Sequence, residues 1–330
     1  MLNFSKEGKG IEWQVRTGSN MWLGIAAYHV YLATGEADYL EFAKRQADFA
    51  LTLQDVNPKS PTYGGIPIGP KGNSYNMKDQ HISWDETKPE FPNVFSTEGN
   101  LDAWALFNML YSTTKESNYL RGRDRVMLWL KKVAYNAAEH RFNRGFYRTP
   151  DLTVAPDTHF WAVSSLGPAR LNEIEPGLAD RLLSSIAESS EVTVYYKLQN
   201  GKLLPVKVYD FVDRGNPVVK ERGSLVSPEW TLQAVLAYAL MAEESADSQK
   251  QAQYRGRGAD LLSGVLLMAD RQGNQAALPY ATKGGVAIGH EYNTPSQENR
   301  SAVGAAWAIL ALLDYDPLNL EKLQLRYHKQ

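Results

Sequence analysis

The chain has 330 residues, of which 43% are hydrophobic and 22% charged, as is typical of a globular protein with one large core or two medium ones. The 35 Lys and Arg residues nearly balance the 37 Asp and Glu residues, so there is no basic excess to bind nucleic acid or an anionic membrane surface. The absence of cysteine excludes disulfides, thiolate metal sites and cysteine nucleophiles. No apolar run approaches the roughly 18 residues of a membrane-spanning helix, so we expect no membrane span.

The first residues do not resemble a signal peptide, because the stretch from Met1 to Lys6 has no apolar core. A signal peptide could have been removed from this sequence, and exported proteins often lack cysteine. We therefore favour a periplasmic or secreted location over a cytoplasmic one.

Helical patterns alternate with loops rich in glycine, proline and aromatic residues. The segment 20–34 is apolar on nearly every side, which predicts a helix buried between others, whereas 37–54 has a single apolar stripe and predicts an outer helix. The same pair of patterns recurs over 100–114 and 118–139. Further helices are predicted over 159–171, 177–188, 229–242, 248–271 and 301–314.

The first two helix pairs turn through similar sequences. Residues 31–40 read YLATGEADYL and residues 111–120 read YSTTKESNYL, so Tyr, Thr, Glu, Tyr and Leu coincide at an offset of 80 residues. Because the match falls at the same point of the same helical pattern, it predicts a repeated helical hairpin.

Two loop segments predict small β elements rather than a sheet core. Residues 192–197 and 203–211 form an alternating pair with Asn200-Gly201 between them, which is typical of a β-hairpin. The run YGGIPIGP over 63–70 predicts a second small β element.

These elements predict one all-α domain over residues 1–330, built as a closed ring of helical hairpins. Five nearly wholly apolar helices would form the inner layer, and the long loops would collect at one end, where sites usually lie. Short helical repeats with a period near 34 residues would need tight loops at both ends, and this chain does not have them.

Several runs resemble the (α/α)6 toroids of the six-hairpin glycosidase superfamily. They are TGSNMWLGIA (17–26), ATGEADYL (33–40), STEGNLDAW (96–104), DTHFWAV (157–163), PEWT (228–231) and LPY (278–280). The resemblance implies an (α/α)6-type toroid that acts on an oligo- or polysaccharide, although the fold also hosts lyases, epimerases and cyclases. The superfamily has six inner helices and this sequence predicts five, so we expect the first hairpin to be absent.

Acidic residues gather where the inner helices begin. Glycoside hydrolysis needs an acid and a base carboxylate, about 6.5–9.5 Å apart for inversion. We predict an inverting hydrolase with Glu98 as general acid and Glu229 or Asp157 as base, although acids in a first helical turn also serve as caps. Asp102 lies one turn after Glu98, and repulsion between the two would raise one pKa. Glu298 precedes the last inner helix.

Saccharide binding requires flat apolar surfaces and polar groups for the hydroxyls. The predicted substrate-binding residues lie in loops or at inner-helix starts: Trp13, Tyr63, Trp84, His159, Trp161, Trp230, Tyr280, His290 and Tyr292. Trp22, Trp104 and Trp307 lie deeper in apolar helices and are predicted to be core.

Two other functions fit the sequence. A polysaccharide lyase or sugar epimerase would use a His or Tyr base, with a cation for a uronic acid supplied by Arg16, Arg148, Arg222 or Lys283. A saccharide-binding protein without enzymatic activity would need only the aromatic residues of the site. The six histidines do not form a His-x-x-x-His pattern, so we predict no zinc site. We also predict no cofactor. The sequence does not decide whether loop carboxylates bind calcium.

Overall fold

The computed structural model describes residues 2–4, 11–71, 74–78, 81–85, 91–198, 201–273, 275–290, 292–296 and 299–320, without the side chains of 2–4, 11–14, 74–78, 81–85 and 272. The chain divides into two compact units. Unit 1 comprises residues 1–152 together with 317–330, and unit 2 comprises residues 153–316. A single domain over the whole chain remains a prediction.

Unit 1 contains two helical hairpins. Its helices are α1 (Thr17–Thr34), α2 (Ala37–Leu53), α3 (Thr97–Thr114) and α4 (Ser117–Trp129). Helix α1 packs against both α2 and α3, and α3 packs against α4. The buried side chains between these helices include Tyr28, Phe107 and Tyr119, so the core of the unit lies along α3.

The two hairpins turn in the same way. Gly35 follows α1 with φ 74°, and its N–H donates to the Tyr31 carbonyl at 2.8 Å. Lys115 follows α3 with φ 58°, and its N–H donates to the Tyr111 carbonyl at 3.0 Å. These left-handed residues satisfy a helix-terminal carbonyl and reverse the chain. The repeat predicted at an offset of 80 residues is confirmed.

Short strands decorate the loops of unit 1. An antiparallel sheet has the order β1 (Leu2–Phe4), β2 (Ile11–Gln14), β3 (Ser74–Lys78), β4 (His81–Asp85). The other strands are β5 (Val94–Ser96), which pairs with β8 (Gly145–Tyr147), β9 (Thr149–Asp151), which also pairs with β8, and the pair β6 (Tyr135–Asn136) and β7 (Arg141–Phe142). Strand β5 runs directly into α3, so this small sheet fixes where α3 begins.

Unit 2 is built around one buried helix, α8, which contacts α5, α9 and α10. The helices are α5 (Pro156–Asn172), α6 (Leu178–Ser190), α7 (Pro217–Arg222), α8 (Pro228–Glu244), α9 (Ser248–Leu266) and α10 (Ala302–Leu312). Helix α5 kinks at Gly167, which has φ 70° and precedes Pro168. Strands β10 (Glu191–Lys197) and β11 (Leu203–Tyr209) form a hairpin, as do β12 (Asp270–Gln272) and β13 (Gln275–Ala277).

The helices and the first β-hairpin are confirmed, with some corrections. The second β prediction is wrong: residues 63–70 are turns and extended loop, tied down by backbone bonds such as Ile68 N–H to the Val94 carbonyl at 2.8 Å. The helix predicted over 118–139 passes into a π-turn at Leu130–Ala134 and then into β6. The helix predicted to Arg271 ends at Leu266, and α7 was not predicted. Asn200, the expected turn residue, lies outside the described residues.

Two helices predicted to be buried have an exposed apolar flank. Leu23 and Val30 of α1 are exposed, and so are Val303, Ile309 and Leu312 of α10. Helix α10 carries no charged residue along its length, so its composition gives no sign of which flank faces solvent. No helix among the described residues is long and apolar enough to cross a membrane.

Candidate functional site

The start of α8 fixes one acidic side chain of unit 2. Ser227 is the N-cap, and its hydroxyl oxygen accepts from the Trp230 N–H at 3.2 Å. Pro228 occupies the first helical position, as expected from its preset φ. Glu229 and Trp230 therefore lie in the first turn, where both are half-buried.

Asp157 occupies the matching position in α5, directly after Pro156. Its side chain is only 4% exposed, and Oδ1 accepts from the Thr158 N–H at 2.7 Å. This contact satisfies one of the free amides at the helix start. Asp157 thus has a structural contact and is also held in a fixed orientation.

The charges of both acids act on Tyr280. Burial raises the pKa of its phenol, and the negative charges of Glu229 and Asp157 raise it further. Both carboxylates therefore lie within electrostatic range of one hydroxyl. Because the phenol stays protonated at neutral pH, it can donate a hydrogen bond but cannot serve readily as a base.

The ring of Tyr280 belongs to a set of aromatic contacts. The ring of Phe211 stacks on Tyr280 with centroids 5.9 Å apart and planes inclined by 18°, and it meets Trp230 edge-on at 4.8 Å. Trp230 in turn lies 5.5 Å from the ring of His290. We call Phe211, Trp230, Tyr280 and His290 the aromatic cluster. Phe211 and His290 are buried, so only the half-buried rings of Trp230 and Tyr280 can offer a sugar the flat apolar surface that a saccharide site requires.

A buried ion pair supports the cluster. Arg222 contacts both carboxylate oxygens of Asp210, at 2.6 Å from Nη2 to Oδ1 and 3.0 Å from Nη1 to Oδ2. Asp210 also accepts from the backbone N–H groups of Phe211 and Leu225. His290 Nε2 lies 2.6 Å from the Phe211 carbonyl, which can only accept, so Nε2 carries the proton.

The remaining predicted residues of unit 2 have contacts of their own. His159 is fully buried, with Nδ1 3.0 Å from the Ala155 carbonyl one helical turn earlier. Trp161 pairs edge-on with Trp307 at 5.5 Å, and both rings are buried, as predicted for Trp307. Tyr292 is 60% exposed.

Unit 1 contains the other two predicted acids, on α3. Ser96 caps the helix by accepting from the Gly99 N–H, so Glu98 lies in the first turn. A Cβ atom added to Gly18 of α1 would lie 3.7 Å from Oδ2 of Asp102, which shows how closely the two helix starts approach. Asp102 is buried. Burial raises the pKa of Glu98, because desolvation disfavours the charged carboxylate, while the repulsion from Asp102 remains a prediction.

Three other predicted binding residues belong to unit 1. Tyr63 is half-buried in the turn before Gly64. Trp13 and Trp84 lie on β2 and β4, where each is paired with Tyr75 of β3 through the backbone. The structure describes only the backbone of Trp13 and Trp84. Glu298 is not among the described residues.

Sequence reasoning missed Phe211 and Asp210 as parts of the site. The sequence predicts Phe211 at the end of the hairpin, but β11 ends at Tyr209, and the next two residues are Asp210 of the ion pair and Phe211 of the aromatic cluster. An acid and an aromatic residue directly after a strand were the available signal. Among the described residues, no three His, Asp or Glu side chains are grouped as a metal site would need.

Comparison with known proteins identifies the fold. No family model matches the sequence, and no relative was found among curated proteins. The chain has an α/α toroid fold, as the resemblance implied.

The fold rests on likeness to solved structures. Unsaturated glucuronyl hydrolase from Bacillus sp. GL1 matches with a TM-score of 0.61 and 13% identity over 91% of this chain and 76% of that chain. The enzyme from Streptococcus agalactiae matches with a TM-score of 0.58 and 14% identity over 95% and 71%. An unsaturated glucuronyl hydrolase specific for heparin matches with a TM-score of 0.57 and 12% identity over 92% and 77%.

Proposed function

We propose that this protein is a glycoside hydrolase that acts on an oligo- or polysaccharide by an inverting acid–base mechanism. The observation that carries the proposal is Tyr280, a protonated phenol within range of both Glu229 and Asp157 and stacked in the aromatic cluster. A sugar ring could lie against the aromatic faces while a carboxylate activates water. The fold is compatible with this chemistry but does not select it.

The general base is either Glu229 or Asp157. Glu229 is half-buried and can reach solvent, whereas Asp157 is almost fully buried and holds its own helix start. A base must contact the attacking water, so the exposure favours Glu229.

Glu98 is proposed as the general acid. An acid must hold its proton at the working pH, and burial raises the pKa of this carboxyl. The raised pKa describes Glu98 within unit 1 alone, whereas both candidate bases belong to unit 2. The acid and the base are therefore tested by separate substitutions.

The lyase or epimerase alternative has less support. Tyr280 stays protonated near two acids, and His290 Nε2 already donates to the Phe211 carbonyl. Arg222, expected as a cation for a uronic acid, is bound to Asp210 with a side chain only 4% exposed. A saccharide-binding protein without activity would retain the aromatic cluster and is distinguished by experiment.

The test is an activity screen on neutral and uronic-acid oligosaccharides, with products identified by mass and by the anomeric proton signals. A hydrolase adds one water per cleaved bond, and inversion gives the opposite anomer first. A lyase instead yields an unsaturated sugar without added water, and a binding protein yields no product.

The Glu98→Gln variant should lose most of the activity found in that screen. The matched control is Glu139→Gln, which removes the same charge from an exposed position of unit 1. Full turnover in Glu98→Gln would show that the acid assignment is wrong.

A further inference from the structure

Unit 1 contains a cavity that the proposed function does not use. It has a volume of about 740 Å³, which is within the range of small-ligand sites. The end of α2, the loop 55–71 and the strands β5 and β8 form its walls.

Hydrogen bonds hold these walls in place. The Asp55 N–H donates to the Gly65 carbonyl at 2.9 Å, and the Gly64 N–H donates to the Asp55 carbonyl at 2.8 Å. The Ile68 N–H donates to the Val94 carbonyl at 2.8 Å, which ties the loop to β5. A cavity with walls fixed in this way needs little ordering when it binds a ligand.

Two cations line the cavity without a carboxylate partner among the described residues. Arg148 is exposed, and its guanidinium carbon lies 5.0 Å from the ring centroid of Tyr147. Lys71 is also exposed. The acid of the same wall, Asp55, accepts from Thr62 Oγ1 at 2.7 Å and from the Asn57 N–H at 3.0 Å, so its charge is engaged locally. The lining therefore favours an anion.

The backbone of Arg148 is strained. Its φ of 57° falls in the left-handed region, which costs a residue with a side chain about 1 kcal/mol or more. Such positions concentrate at binding sites, where the geometry of the side chain is used. Here the strained residue lines the cavity.

The rest of the lining suits a sugar. Phe146 and Pro92 are half-buried and provide apolar surfaces for the C–H face of a pyranose ring. The polar residues Ser60 and Asn93 also line the cavity. These are the groups that bind sugar hydroxyls.

We propose that this cavity is a second saccharide site, specific for short oligosaccharides that carry carboxylate or sulfate groups, with Arg148 and Lys71 binding the anionic group. The site lies wholly in unit 1 and does not depend on the acids of unit 2. It goes beyond the proposed hydrolysis, because it would bind an acidic chain even if another glycan is cleaved.

The test is calorimetric titration of the full chain with trigalacturonic acid and, as the neutral probe, maltotriose. The acidic probe should bind, and its affinity should fall as salt increases because exposed cations are screened. We expect Arg148→Gly to weaken binding about tenfold, and Lys71→Gln to do the same. Glycine fits the positive φ at position 148, so this variant should fold normally.

Two controls separate the alternatives. Lys132→Gln removes an exposed cation of unit 1 that does not line the cavity and should leave the affinity unchanged. Glu229→Gln should remove hydrolysis but retain binding of the acidic probe, so a failure of the proposed function is distinguishable. No binding of trigalacturonic acid, equal binding of both probes, or unchanged affinity in Arg148→Gly would each overturn the proposal.

Discussion

Arg222 holds both carboxylate oxygens of Asp210 in a bidentate pair, with side chains only 4% and 1% exposed. The same carboxylate accepts from the backbone of Phe211, and the Phe211 carbonyl accepts from His290. A continuous set of hydrogen bonds therefore runs from a buried ion pair to the aromatic cluster. The pair acts on the site by positioning Phe211 and His290.

Removal of one partner should destabilise unit 2 strongly. Asp210→Asn leaves the Arg222 guanidinium buried without its counter-charge, and we expect a loss of about 3–5 kcal/mol in the free energy of unfolding by urea. The matched control is Asp180→Asn, because Asp180 pairs with Lys250 at 3.1 Å on the surface and should contribute about 1 kcal/mol or less. Similar losses in the two variants would contradict the strong contribution of the buried pair to stability.

Trp230→Leu should weaken saccharide binding while leaving the chemical step intact. Trp230 lies in the aromatic cluster and is half-buried, so a ligand can use its ring face. We expect KM to rise about fivefold to tenfold with little change in kcat, which corresponds to about 1–1.4 kcal/mol. Tyr195→Leu, at a ring 73% exposed on β10, should leave KM unchanged. Equal effects of the two substitutions would exclude Trp230 from the binding surface.

The raised pKa of Glu98 predicts a pH-dependent effect on stability. The folded protein holds this proton more tightly than the unfolded chain, so stability falls as the pH rises from the unfolded pKa to the folded one. Glu98→Gln should therefore be more stable than the wild type at pH 8, with the advantage disappearing at pH 4. Urea unfolding at both pH values measures this difference in stability, with Glu139→Gln as the exposed control. If the advantage is the same at both pH values, the Glu98 carboxyl is not desolvated in the folded protein.

Substitutions at two glycines distinguish the cost of backbone strain from the cost of steric contact. Both Gly35 and Gly64 have positive φ, at 74° and 92°. A Cβ atom at Gly35 would meet nothing within 4 Å, whereas at Gly64 it would lie 2.1 Å from the Arg125 carbonyl oxygen. Gly35→Ala should thus cost about 1 kcal/mol and Gly64→Ala clearly more, since the loop would have to move. Thermal unfolding of both variants decides the matter, and equal losses would show that the 64–65 turn is free to shift.

The fold was largely predictable because helical periodicity and turn residues are local signals. The matching turns at Gly35 and Lys115 follow from a ten-residue similarity, and the start of α8 follows from Pro228. The strand prediction at 63–70 failed, although the β-branched and aromatic residues there favour a strand. The backbone of this segment forms a hydrogen bond to β5 but no sheet ladder.

The site was predictable only in part. Glu229, Trp230, Tyr280 and His290 were identified as acids, aromatic residues and histidines near loops. Their convergence depends on Asp210 and Arg222, twelve residues apart, whose pairing is a tertiary contact without a sequence motif. The cavity near Arg148 likewise depends on a backbone conformation that the sequence did not indicate.

The central claim is that a carboxylate beside Tyr280 serves as the base in saccharide hydrolysis, and kcat/KM of Glu229→Gln and Asp157→Asn tests it most directly. On the glycan cleaved by the wild type, one of these variants should lose about 10²–10⁴ in kcat/KM with an unchanged urea midpoint, while Glu221→Gln, an exposed acid of α7, keeps full activity. If both variants retain wild-type kcat/KM, the acids near Tyr280 are not catalytic and the account is contradicted.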